Sequence, residues 1–261
     1  MTPALPAAAR AFFDRAYATD LVFEPDCWKL CGDAHCCSFS RHKARFEIIQ
    51  APQQELPLLP GEWAYLVERG WNAQFGEHTA TQHRYELDGY TIEWTSMVSQ
   101  RPMCACDHGT RTVVCRLYPL LPTFASNGNI TGTAPLGMYE ELEILEGLPR
   151  ACRIDTIPPD QHELFLDLAG DIAAEPVWRF ALIAYTAAKR HVFDRLAARR
   201  DPAVSAFKQF EMALFRKRLF DHDALRAELQ QALIDVSNGD IADLAVRAEQ
   251  LHAADRACLS R

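Results

Sequence analysis

No stretch of this sequence has the length of a membrane span, and its first residues do not read as a secretory leader. The longest apolar run, near Phe180-Ala-Leu-Ile-Ala-Tyr185, is far too short to cross a bilayer. The opening Met-Thr-Pro-Ala-Leu-Pro-Ala-Ala-Ala-Arg has no basic region followed by a long apolar one. Walker loops, dinucleotide fingerprints, nucleophile elbows and His-Glu-x-x-His motifs are all missing. The familiar routes to nucleotide, hydrolase and zincin chemistry are therefore closed. Net basic charge is lacking too: 27 Lys and Arg against 35 Asp and Glu leave a formal charge of -8. Broad nucleic-acid affinity needs a net basic surface, so it is not expected. No membrane is expected as a partner, and the expected compartment is a reducing cytoplasm.

What the sequence does hold is an ordinary globular composition and an unusual set of thiols. Apolar residues make up 49% and charged residues 24% of 261 positions. That length suits one large domain or two modest ones, with a core that needs no disulfides. Of nine cysteines, eight fall before residue 153. One knot reads Cys27-Trp-Lys-Leu-Cys31-Gly-Asp-Ala-His-Cys36-Cys37, and another reads Cys104-Ala-Cys106-Asp-His-Gly-Thr-Arg-Thr-Val-Val-Cys115. Cys152 follows alone, and Cys258 is a lone thiol on a C-terminal helix. In a reducing compartment, clustered thiolates point to metal or redox chemistry before structural disulfides.

The spacings bear on which thiols share an ion. Cys27 and Cys31, four apart, share one face if helical. Cys36 and Cys37 point apart in an extended chain, so they serve different metal atoms or divide between ligation and packing. Cys104 and Cys106 share a face on a strand. Four thiolates satisfy either a tetrahedral zinc or a cubane iron–sulfur cluster. The ligand pool is Cys27, Cys31, Cys36, Cys37, Cys104, Cys106, Cys115 and Cys152, for zinc or iron, the latter as an ion or as a [4Fe-4S] cluster. The spacing matches neither paired CxxC zinc patterns nor ferredoxin runs, so it does not name the metal.

The chain divides by texture. Residues 7–19 are expected to form a helix, 45–50 a strand, and 62–69 a helix closed by Gly70 after a turn at 58–62. Asp88-Gly89, between the arms of 85–94, predicts a hairpin. Residues 113–118 read as a strand stopped by Pro119, and 125–137 as a loop; 139–145 fits a strand or a short helix. Helical periodicity then fills 160–168, 176–199, 202–220, 222–236 and 241–259. Asp201-Pro202 is expected to open one of these helices, and Asn238-Gly239 with Asp240 to separate the last two. The expected class is α+β: a cysteine-rich metal-binding part over residues 1–157 with short strands, and a helical part over 158–261 packed on it.

The two knots resemble the cysteine-cluster family of zinc- or iron-chelating proteins, whose usual first motif is CxxCxxCC. Cys115-Arg116-Leu117-Tyr118-Pro119 matches the run that ends that family's second motif. Arg101-Pro102 and Leu58-Leu59-Pro60-Gly61-Glu62 resemble segments found near it. The first knot here is the looser CxxxCxxxxCC, closest to flagellin lysine-N-methylase-like members. The resemblance covers residues 25–155. It implies a metal or iron–sulfur centre, and through the methylase-like members an activity that modifies a protein. No glycine-rich S-adenosylmethionine loop accompanies it.

Other residues are candidates for supporting roles. His35 and His108 lie beside thiols and suit ligation or a hydrogen bond to sulfur, against the plainer reading of solvated loop histidines. Arg116 suits offsetting thiolate charge, against a surface arginine. Glu62 reads first as a carboxylate at a helix N-terminus and second as an acid, base or ligand. Trp28, Trp63, Trp71, Trp94 and Trp178 read as packing groups. Lys189-Arg190-His191 with Arg195, Arg199 and Arg200, and separately Arg216-Lys217-Arg218, make basic faces. These read as solvated surface, or as a docking site for an acidic protein partner of the helical part. The functional alternatives are a metal-binding protein, a metal- or cluster-dependent enzyme acting on a protein or small molecule, and a thiol redox sensor.

Overall fold

The computed structural model describes residues 4–23, 45–49, 54–99, 109–148 and 157–259. Helix α1 (Ala7–Ala18) buries Ala9, Phe12, Phe13, Ala16 and Tyr17 along one stripe, the spacing that its sequence predicts. Phe12 packs on Trp178 with ring centroids 3.9 Å apart, and Phe13 lies 5.3 Å from Tyr65. Strand β1 (Gln54–Leu58) leads into α2 (Glu62–Glu68) and a 3-10 turn at Trp71–Phe75. Strands β2 (His78–Leu87) and β3 (Tyr90–Ser99) form the predicted hairpin, with Leu87 opposite Tyr90 and Gly89 at φ 79°. The sheet is antiparallel with order β1-β3-β2. Pro57 is tolerated in β1 because that strand is an edge of this sheet.

Three local readings are corrected. Residues 113–118 hold a short helix, α3 (Val113–Leu117), in place of the expected strand. Thr112 caps it by accepting a hydrogen bond from the Cys115 amide at 3.3 Å. Residues 125–137 are not all loop: β4 (Leu120–Phe124) pairs with β5 (Ile130–Pro135) around a turn at 125–129. Residues 45–49 form no strand. Their amides instead donate to the buried Glu211, from Glu47 at 3.2 Å, Ile48 at 2.5 Å and Ile49 at 2.6 Å.

Helix α4 (Met138–Glu146) settles the segment that its pattern left open. The remaining helices are α5 (His162–Ala174), α6 (Pro176–Ala198), α7 (Ala206–Phe215), α8 (His222–Val236) and α9 (Ile241–Arg256). Ser205 caps α7. Asp201, expected in that role, accepts instead from Ala203 N in the preceding turn. The chain is thus α+β, with antiparallel strands and a helix-rich second half.

A large hydrophobic core draws on both halves, from Phe13, Leu58, Leu66 and Met97 to Phe165, Phe180, Leu233 and Ala254. A smaller cluster gathers Phe46, Leu142, Val192, Leu196, Phe207 and Phe210. The 23-residue α6 joins them, with Val177 to Ala187 in the first and Val192 and Leu196 in the second.

Glu211 anchors residues 47–49 to the smaller cluster. Burial pushes its pKa up, but the amide bonds from Ile49, Ile48 and Glu47 outweigh that and hold it below the ordinary glutamate range. We expect Glu211→Ala, which leaves three amides without an acceptor, to lower stability by about 2–3 kcal/mol in urea unfolding.

Candidate metal centre

The candidate centre is built around α3, the one described helix that carries a cysteine from the ligand pool. Glu62 at the start of α2 fixes its position. The Glu62 side chain is fully buried and accepts three hydrogen bonds: Tyr17 Oη at 2.8 Å, Leu59 N at 2.9 Å and Val113 N at 2.7 Å. One carboxylate therefore holds α1, the turn before α2, and the first residue of α3. Burial raises its pKa, opposed by the bonds from Val113, Leu59 and Tyr17. Tyr17 is in turn held well above the normal tyrosine range, by burial first and by Glu62 second. The plainer expectation for Glu62, a carboxylate at a helix N-terminus, holds for its place in sequence; its long-range bonds were not foreseen.

Arg116, one residue past Cys115, is 3% exposed. It is not the surface arginine of the plainer reading. Its Nη1 donates to Thr19 O at 2.7 Å, its Nη2 to Gly109 O at 2.7 Å and its Nε to Arg111 O at 3.1 Å. The guanidinium also lies over the Tyr17 ring, 5.0 Å from its centroid. Arg111 adds a bond to Leu21 O at 2.8 Å. Burial lowers the pKa of Arg116, which stays far above neutrality.

These bonds draw together the described residues that border the cysteine-bearing segments. Thr19 and Leu21 precede residues 24–44, and Gly109 and Arg111 follow residues 100–108. The far side of 100–108 is held at the same 3-10 turn as the near side. Ser99 Oγ donates to Phe75 O at 2.8 Å, while Gln74 and Thr110 exchange bonds at 2.9 and 2.7 Å. Gln161, just after residues 149–156, accepts from Val22 N at 2.9 Å. Phe23 packs near Phe165.

Cys115 itself is half-buried on α3. Cys27, Cys31, Cys36, Cys37, Cys104, Cys106 and Cys152 lie outside the described residues, as do Trp28, His35 and His108. Among the described residues, no three His, Cys, Asp or Glu side chains gather as a metal would require. Cys258 is 9% exposed at the end of α9, and its carbonyl accepts from Trp63 Nε1 at 3.1 Å. Trp63 and Trp178 are buried core residues, whereas Trp94 is 37% exposed and stacks on His83.

The sequence reading passed over a group of buried ionisable residues where α9 meets α2 and β3. Asp255 accepts from Gly61 N at 2.8 Å and Ala64 N at 2.9 Å, so it caps α2 from a distant helix. Glu93, 3% exposed, holds Arg84 at 2.7 Å and Arg256 at 2.8 Å. His252 beside them has a buried Nε2 without a partner among the described residues, and burial lowers its pKa to about 4. Only a pattern of polar residues on apolar helix faces hints at this group, and that signal is weak in a single sequence.

The chain matches no protein-family model, no curated protein and no solved structure. What the fold and site define is an α+β protein in which a buried arginine gathers the borders of cysteine-rich segments.

Two measurements probe this architecture. Arg116→Met strands three carbonyls and removes the clamp, and we expect it to cost on the order of 3 kcal/mol in urea unfolding. Asp255 has its pKa pushed up to about 7 from 3.8, by burial first, against the bonds from Ala64 and Gly61. An acid whose pKa is higher folded than unfolded gains a proton on folding between the two values. Its stabilising contribution is full below the unfolded value and is lost as pH rises toward about 7. The urea midpoint of the native chain should therefore fall between about pH 5 and about pH 8 by more than that of Asp255→Asn.

Proposed function

We propose that this protein binds zinc or iron, the latter as an ion or a [4Fe-4S] cluster, through thiolates of its cysteine segments. Cys115 is the described member of the set. Cys27, Cys31, Cys36, Cys37, Cys104, Cys106 and Cys152 supply the others, in the manner of the cysteine-cluster proteins that the two knots resemble. The centre belongs in a reducing cytoplasm, where thiolates stay available to metal.

The observation that carries this reading is the Arg116 clamp. Distant stretches of sequence, ending at Thr19–Leu21 and starting at Gly109–Arg111, are tied to the helix that bears Cys115. Thiols on segments that each have a border tied at this one place can share an ion at modest entropic cost.

Charge supports the same reading. Among the described residues Arg116 forms no ion pair; it feels Glu62 and Asp20 through space and bonds only to carbonyls. A buried cation without a paired anion is costly. A metal–thiolate centre carries net negative charge when four thiolates meet a divalent ion, and this would offset the guanidinium. The residues present thus fit the group: soft sulfur donors with a fixed positive charge alongside.

The test is anaerobic purification followed by metal analysis, acid-labile sulfide assay and an absorption spectrum. We expect bound zinc, or iron with or without sulfide, and a lower metal content in Cys115→Ser. A folded native protein that carries no metal and takes none up under reducing conditions would overturn the reading. Disulfides in its place would favour the thiol sensor.

A further inference from the structure

We propose that a pocket between α6 and α7 is a docking site for an acidic segment of another protein that carries one apolar anchor side chain. This site lies apart from the cysteines, so neither its logic nor its test depends on metal.

The sequence presents two basic faces far apart, and folding sorts them. Lys189 is buried against Pro135 O and Glu141, Arg190 and His191 both bond Glu228, and Arg200 meets Glu146. Each has an acceptor within the fold, although the Arg190 side chain stays 54% exposed, so the expected basic face over residues 189–191 is reduced largely to that guanidinium. Five others are left, Lys217 and four arginines. Arg195 and Arg199 from α6, and Arg216 and Arg218 after α7, line a single pocket of about 190 Å³. Among the described residues none of the four forms an ion pair. The Nε of Arg195 is buried and has no hydrogen-bond partner among the described residues.

Four guanidiniums around one concavity repel each other, and in a chain of charge -8 abundant carboxylate was available to quench them. The floor is apolar: Leu196, Met212, Ala213 and Leu219. The room is on the scale of one large side chain. Beside it Phe215 is 54% exposed and Leu214 42%. Arginine and methionine lining an apolar pocket, with the exposed Phe215 next in sequence to Arg216, match residue types enriched at protein-binding interfaces.

The turn after α7 is a helix C-cap. Lys217 sits at φ 53°, in the left-handed region where glycine costs least. The turn closes with Lys217 N on Leu214 O at 2.9 Å and Arg218 N on Ala213 O at 2.8 Å. It sets Arg216 and Arg218 on the same pocket. A concave pocket selects a protruding side chain, which favours a peptide over the flat face of a membrane. The guanidinium rim selects carboxylates flanking that side chain.

The experiment is fluorescence anisotropy with a labelled peptide bearing one phenylalanine between pairs of glutamates and aspartates. We expect saturable binding that weakens with added salt and weakens further when the phenylalanine is replaced by serine. Arg199→Glu and Arg216→Glu, both on exposed side chains and checked for folding by circular dichroism, should each weaken it by about tenfold. Equal binding by the variants, no binding by the native protein, or preference for phosphatidylserine vesicles over the peptide would each overturn the proposal.

Discussion

Among the described residues no cation bonds the buried Glu62 carboxylate, yet it accepts from a tyrosine and two backbone amides. Those three donors belong to α1, the turn before α2, and α3. Removing a charged acceptor of this kind leaves buried donors from three elements unmet, which costs more than the loss of any one bond. Asp255 takes the amides of Gly61 and Ala64 from the other side of the same short helix. Helix α2 is thus fixed by two buried carboxylates, and the nearby Glu62 adds to the burial that raises the pKa of Asp255. Gly61 between them sits at φ 86°, and a Cβ there would come within 2.9 Å of Leu5 and 3.1 Å of Leu251. Both the left-handed backbone and the close packing favour glycine at this turn.

From that frame the placement of Arg116 follows. Once Val113 is bonded to Glu62, α3 projects Arg116 back beneath Tyr17, where Thr19 and Gly109 present their carbonyls. An arginine can serve three carbonyls in one plane because its guanidinium has five N–H donors in a rigid fork; lysine lacks that reach. The conjunction Cys115-Arg116 is therefore more than sequence adjacency. It places a thiol one residue from the group that ties the described borders of residues 24–44 and 100–108.

What the sequence made legible was local. The Asp88-Gly89 turn, the Asn238-Gly239 stop with Asp240 as cap, and the stripes of α1, α8 and α9 are each decided by neighbours within a turn or two, and those readings held. Val113-Val114 read as a strand because β-branched residues favour one, but tertiary bonds to Glu62 and Thr112 decided for helix. Residues 45–49 alternate as a strand would, yet no neighbouring strand takes their amides; Glu211, more than 160 positions on, does. Strand β1 went unread because Pro57 argues against a strand unless the edge position is known. For the candidate centre, spacing could name the thiols but not their neighbours. Arg116's burial and the pairing of residues 189–191 depend on carboxylates and carbonyls distant in sequence.

The two hydrophobic clusters give the cysteine segments a further physical consequence. Phe23 packs on the large core, while Arg45 lies over Phe207 and Phe46 is part of the smaller cluster. Leu148 packs on the smaller cluster, and Ile157 on the large one. The described ends of residues 24–44 and of residues 149–156 therefore bridge the same pair of clusters in opposite directions, with Val22 and Gln161 bonded where they meet. Ions that recruit thiolates from both segments would cross-link the clusters at a second place, in addition to α6. Binding energy for soft metals is also folding energy when the ligands are not preassembled in the unfolded chain. In such an arrangement the smaller cluster, with few large buried side chains of its own, would gain the most from the metal. Its packing would then report on metal occupancy even though no ligand belongs to it.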